Sequence, residues 1–250
     1  ELPPGALGHR VLHYIAVEVR ELTRVAWTVA GTGAPGVALP REVVDLDVTL
    51  PSGRRITGTV PGLVGDSVLT VTYSSVRAKQ RLRSWIHSLV LAAAGTPYES
   101  HVVGREKRYR RSYRLHVTHG GHEVDRSLEL LDRLLDLRER GLREPIPLPP
   151  KTAYAWAAKY LEGRADERAA FFSARKEWES NDSYENAFAK EQNDPEHEFV
   201  HGGPVPLTEI LGTPLPEEQW EPGVASRLGQ LALRVWRPVF EDGTERMERS

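Results

Sequence analysis

The stretch His197-Glu198-Phe199-Val200-His201 fits the H-E-x-x-H pattern, in which two histidines one helical turn apart bind zinc and the glutamate serves as the base of a metalloprotease. Such a site needs helical turns on both sides of the motif. Pro195 can only start a helix, and Gly202, Gly203 and Pro204 break it directly after the second histidine. A third ligand would have to come from Glu217, Glu218 or Glu221, none of which lies in a convincing helical pattern. A solvated loop is therefore the first reading and a zinc metalloprotease the alternative. His116, His119 and His122 are also regularly spaced, but a strand and turn would point them in different directions. Asp45 and Asp47 form the nearest carboxylate pair, yet alternation sets them opposite Val44, Leu46 and Val48, as a solvated polar face. No metal or cofactor site is assigned.

Nucleic-acid chemistry is better represented. From Arg105 to Arg114 there are six basic residues and one acid: Arg105, Lys107, Arg108, Arg110, Arg111 and Arg114 against Glu106, with Tyr109 and Tyr113 interleaved. Cations meet phosphates and aromatic rings meet unstacked bases, so these eight basic and aromatic residues are the candidate DNA contacts. On a single extended strand, Lys107, Tyr109, Arg111 and Tyr113 would face one way and Arg108, Arg110, Ser112 and Arg114 the other. An edge strand guarded by charge is the competing account. Lys79, Arg81 and Arg83 form a weaker second patch.

The elements that position these residues follow from pattern. The chain has 250 residues, 40% hydrophobic and 27% charged, with net charge −2, so a uniformly basic binder is excluded while local patches are not. Its longest apolar run, Leu89 to Ala94, is six residues, against about 18 for a spanning helix, and a cytoplasmic location is the default. There is no cysteine, which excludes disulfides and thiol chemistry. The only methionine is Met247, so the chain reads as a piece of a longer protein.

A helix is predicted from His9 to Ala30, then an alternating strand at 44–50, a turn, a strand at 54–60, a turn, and a third strand at 68–73 with Leu69, Val71 and Tyr73 on one face. This makes a three-stranded meander. A helix follows from Val76 to Ala94, with Leu82, Trp85, Ile86, Leu89, Val90 and Ala93 inward and Gly95 as its cap. Residues 99–104 suggest another strand, and 105–124 two edge strands around Gly120-Gly121. A helix capped by Asp125 ends before Gly141, and a proline-rich link leads to short helices at 154–161, 167–178 and 183–190. A loop at 193–216 and a last helix from Gly223 to Trp236, ended by Pro238, complete the chain. The fold class is α/β (α+β), with a core at 1–150 carrying a basic hairpin at about 105–124, and a helical C-terminal extension at 151–250 packed on it.

The order helix, three strands, helix, strand resembles the PD-(D/E)xK nuclease core. The segments "LPPGALG", "ITGTVPGL", "LTVTYSSVRAKQRLRSWIHSLVLAAAGTPYES" and "PIPLPPKTAYAWA", in that order, resemble the RecC C-terminal domain family, part of the RecBCD helicase-nuclease, exodeoxyribonuclease V. The similarity covers Leu2 to about Asp194 and the tail more loosely. It implies a nuclease-like fold without a working nuclease site, acting beside RecB and RecD on broken duplex DNA ends in repair by homologous recombination; a pure subunit-interaction module is the alternative.

Active members of this fold resemble G-x-x-D on the second strand and D/E-x-K on the third. Laid on this chain, the first carboxylate falls at Pro61, the second at Thr72 and the lysine at Ser74. Strand positions i and i+2 share a face, so Thr72 and Ser74 should point together while Tyr73 faces the core. Magnesium is held through carboxylates, phosphate and water. Pro61, Thr72 and Ser74 supply no carboxylate, so the resemblance implies a domain that is not an enzyme. No phosphate-binding G-x-x-x-x-G-K-[ST] loop occurs, so ATP hydrolysis is not expected of it either.

Overall fold

Alternating apolar residues commit the middle of the N-terminal half to strands, and two helical stretches with 3.6-residue periodicity have apolar stripes to bury against them. The structure, a computed structural model, describes residues 4–31, 41–96, 98–108, 111–163, 166–179 and 190–249, and of residues 107, 108, 111, 112 and 249 the backbone alone. It is a mixed α+β fold in which the chain divides into two units, Glu1–Asp132 with Asp242–Ser250, and Arg133–Glu241. No helix among the described residues is long and apolar enough to cross a membrane.

The first unit is built on one six-stranded sheet in the order β1 (Glu42–Thr49), β2 (Arg55–Val64), β3 (Ser67–Ser75), β4 (Glu99–Arg108), β5 (Arg111–His119) and β6 (Gly243–Arg249). β1, β2 and β3 are the antiparallel meander that the pattern predicts. β3 and β4 are parallel. A parallel pair needs a crossover, supplied here by helix α2 (Ala78–Ala93). Helix α1 (Ala6–Val29) places Leu22, Val25 and Ala26 against Val64, Leu69 and Val103 on one face of the sheet. Neighbouring strand residues point to opposite faces, so Val102 joins Val76, Leu115 and Val117 on the other face, the face α2 covers. Gly95, at φ 78°, ends α2 in the left-handed conformation, with Gly95 N–H on Ala92 O and Thr96 N–H on Leu91 O.

The buried face of α2 departs from the apolar stripe. Arg81, Ser84 and Ser88 are buried with Trp85 and Leu89, whereas Leu82, Ile86 and Ala93 are only half-buried. Polar side chains are admitted because β4, β5 and β6 offer partners for them. Two expectations at the end of this unit are also corrected. Gly120-Gly121 joins β5 to helix α3 (Val124–Arg143), not two strands of a hairpin. β5 is not an edge, because β6, which no alternation announced, pairs along it from Tyr113↔Arg249 to His119↔Gly243.

Gly141 lies inside α3 rather than beyond it, with room for its neighbour Ile146. The second unit holds α4 (Pro150–Glu162), α5 (Glu167–Trp178), α6 (Pro195–His201), α7 (Leu207–Ile210) and α8 (Arg227–Asp242). Residues 193–216, expected as a loop, therefore contain two short helices, and the helix expected at 183–190 lies outside the described residues but for Lys190, which precedes a 3-10 turn. α8 runs through Pro238, which removes one backbone donor without ending a helix so heavily buried: Leu228, Leu231, Leu233, Trp236 and Val239 are all inside.

Candidate nucleic-acid interface

β3 ends in an irregularity. Its pairing with β4 holds to Val71↔Val103 and resumes at Ser75↔Arg105, so Thr72, Tyr73 and Ser74 stand against the single residue Gly104. A bulge of this kind leaves the extra residues unpaired and re-aims their side chains. Thr72 is half-buried with its methyl over Gly104, where an added β-carbon would stand 2.8 Å from it. Its hydroxyl accepts the N–H of Ser74 at 3.2 Å, and Ser74 itself is exposed.

The expected regular alternation is thus interrupted where extra residues of β3 stand against Gly104, and the expectation that Tyr73 faces the core fails. Tyr73 is not in the core but 37% exposed. Its ring carries the guanidinium of Arg105, 3.9 Å from the centroid, and the Arg105 Nε–H donates to the Tyr73 carbonyl. Pro61 is exposed and pairs with Val43 of β1. β2 pairs with β3 only at Leu63↔Val68 and Val64↔Ser67, so the register sets neither Thr72 nor Ser74 opposite Pro61. Asp47, on the exposed face of β1, forms an ion pair with Arg55 that holds its carboxyl below the usual carboxylate range.

The basic stretch lies on β4 and β5, which pair antiparallel from Ser100↔His119 to Arg108↔Arg111. Tyr109 and Arg110, between the two strands, lie outside the described residues. The pairs Glu106↔Tyr113, Lys107↔Ser112 and Arg108↔Arg111 run past Ser75, the last β3 residue that meets β4. A two-stranded ribbon with arginine positions 108 and 111 directly opposite thus continues beyond β3. Because the stretch is divided between two antiparallel strands, the two-face division expected of one continuous strand does not apply. Arg105 sits at the root of this ribbon. Arg114, opposite it, is turned to Glu21 of α1 at 3.8 Å, with its side chain only 13% exposed, and Tyr113 is half-buried. In the second patch, Lys79 and Arg83 are exposed, but Arg81 is buried in an ion pair with Glu245 of β6.

Under α2 lies a polar cluster that the sequence did not reveal. Ser84 Oγ meets Ser100 Oγ at 3.0 Å and His119 Nδ1 at 3.1 Å, and Ser88 Oγ meets His122 Nε2 at 2.9 Å. Asp242 accepts from Trp85 Nε1 at 3.1 Å and lies 3.7 Å from His122 Nδ1. Ser88, His122 and Asp242 have the residue types of a hydrolytic triad. Yet Ser88 is fully buried, donates its hydroxyl proton to the Trp85 carbonyl, and leaves no room for a substrate. The cluster instead ties α2 to the strands and to Asp242, which directly precedes β6. Burial pushes His119 down to about 4, helped by Arg81 and His122; on the opposite face of the sheet, burial beside His101 and Arg246 pushes His116 down to about 4.

In the second unit the H-E-x-x-H residues occupy α6, seven residues long and closed by Gly202 in the left-handed conformation. His197 and His201 turn their rings edge-on to Trp178, with centroids 5.1 and 6.3 Å away. Glu217 and Glu218 bind Arg140, Glu218 also binds Arg227, and Glu221 binds Arg237. The three glutamates weighed as a further ligand thus face arginines. Among the described residues, no group of three or more His, Asp or Glu is placed to hold a metal ion.

Residues 1–161 match the family model described as RecC C-terminal domain. The RecBCD enzyme subunit RecC of Mycobacterium tuberculosis is 35% identical over 243 residues, which cover 96% of this chain and 20% of that protein. The RecBCD enzyme subunit RecC of Mycolicibacterium smegmatis is 34% identical over 240 residues, with the same shares covered. The chain thus spans about 20% of the length of the curated relatives it matches.

Proposed function

The chain belongs to the RecC C-terminal domain family, and from that premise we propose that it is a nuclease-like domain without cutting chemistry, handling DNA ends and parted strands within a RecBCD complex during double-strand break repair. On this reading its PD-(D/E)xK-like core is a scaffold. Helicase and nuclease chemistry belong to RecB and RecD, and the domain works where those subunits work, in the cytoplasm.

The observation that carries the reading is the end of β3. Metal-assisted phosphodiester hydrolysis needs an ion that polarises the phosphate and activates water, and such an ion is held by carboxylates. Here Pro61 has no side-chain oxygen, Thr72 spends its hydroxyl on a backbone N–H, and Ser74 is a neutral hydroxyl in solvent. Beside this end the β4–β5 ribbon presents cationic positions, which suit a polyanion that is held rather than cut.

Reversing charge at Arg108, Arg110 and Arg111 to Glu in the full-length protein tests the reading. DNA affinity should fall and the salt dependence of binding should become shallower, because fewer counterions are released. A second reading, a subunit-interaction module, draws on α1, whose Leu7, Leu12, Tyr14 and Val19 are exposed. It predicts unaltered DNA affinity and weakened assembly with RecB or RecD for the same triple substitution.

A further inference from the structure

We infer that Tyr73 and Arg105 form a stacking platform for one base of a single DNA strand, at the root of the basic ribbon. The inference rests on the DNA-handling reading and adds a site to it. The β3 bulge lifts Tyr73 out of the core and exposes it, and the Arg105 guanidinium lies over the ring at 3.9 Å. The bond from Arg105 Nε to the Tyr73 carbonyl fixes the guanidinium on its tyrosine and leaves the terminal nitrogens as donors.

Arg24, Arg54, Arg55, Arg81, Arg114 and Arg126 of the same unit each face an aspartate or glutamate. Among the described residues Arg105 forms no ion pair, and whereas the other arginines of this unit without one, such as Arg77 and Arg83, are exposed, Arg105 is half-buried. A half-buried, pre-oriented guanidinium without an internal anion suits an anion from outside. A guanidinium's planar fork matches a phosphate, and its plane can stack on a base. Bases within a duplex are already stacked, so the ligand is a strand that has been parted.

The test uses the full-length protein assembled with its partner subunits and forked DNA carrying 2-aminopurine in the single-stranded arm, whose fluorescence falls when the base stacks. Arg105→Ala should weaken binding of the fork on the order of tenfold and abolish the quench, with blunt duplex affinity changed far less. Arg105→Lys, which keeps charge and loses the plane, should retain the salt dependence and still lose the quench. Tyr73→Ala should lose it and Tyr73→Phe restore it, which also guards against a folding defect.

If the triple substitution in the ribbon weakens DNA binding while Arg105→Lys and Tyr73→Ala leave the quench intact, the platform is refuted and the DNA reading survives. If neither set alters DNA binding, both fall. Loss of subunit assembly by Arg105→Ala with an unchanged quench would make the pair a protein contact, and overturn the inference as well.

Discussion

At the scale of single residues, the buried charges carry the strongest consequences. Glu218 is fully buried and accepts two hydrogen bonds from Arg227, at 2.7 and 2.9 Å, with Arg140 at 3.4 Å. Burial alone would raise its carboxyl, but Arg227 and the Leu215 N–H hold it below the ordinary range. Removing one member of such a pair leaves the other charge stranded, so Glu218→Ala should cost on the order of 3 kcal/mol, read as a lower urea midpoint. The histidines under and over the sheet are likewise shifted down, but there it is the neutral form that is held. His119, 1% exposed, is held neutral down to about 4, against 6.5 in the unfolded chain. Between those values the unfolded state binds more protons, so stability is complete above pH 6.5 and declines as pH falls towards 4, on the order of 2 to 3 kcal/mol from this ring. Urea unfolding at pH 7.5 and 5.0 should show the decline, and His119→Gln, which can still bond Ser84, should flatten it. These roles were not legible in the sequence. A glutamate in "PLPEEQW" and a histidine in "HVTHGGH" carry no local sign of their partners, which lie nine residues away for Glu218 and 35 for His119.

At the scale of elements, the strands of the meander and the crossover helix were legible because each has its own period and its own stop signal. The bulge was not. Alternation predicts Thr72 and Ser74 on one face and Tyr73 in the core, whereas Tyr73 is exposed where extra residues of β3 stand against Gly104. An added β-carbon on Gly104 would lie 2.7 Å from Val76 Cγ2, 2.8 Å from Thr72 Cγ2 and 3.0 Å from the Ser74 carbonyl. The crowding includes backbone, so Gly104→Ala should destabilise the domain by about 1 to 3 kcal/mol, and adding Val76→Ala should recover only part of it by thermal melting. Helix starts were misread for a related reason. α4 begins after Pro149, whose side chain caps nothing, yet the first-turn N–H groups of Lys151 and Thr152 donate to the buried carboxylate of Glu191 at 2.8 and 2.7 Å. Glu167 serves Ala225 and Ser226 ahead of α8 in the same way, at 3.0 and 3.1 Å. A cap supplied from a distant segment satisfies the same donors as a neighbouring one and leaves no trace beside the helix.

At the scale of the whole molecule, the α+β class and the family were legible because they rest on long segments in a fixed order, which no single bulge or cap disturbs. The last strand was missed because its partner is β5, some 130 residues earlier in the chain, and "TERMER" has no apolar alternation to declare it. The central claim, that the domain holds nucleic acid without cutting it, is tested most directly by incubating the full-length subunit, free of its partners, with end-labelled duplex and single-stranded DNA and Mg²⁺ or Mn²⁺. Salt-sensitive binding with every strand left intact is the predicted result. Phosphodiester cleavage that disappears when residues around Pro61, Thr72 and Ser74 are altered would contradict it.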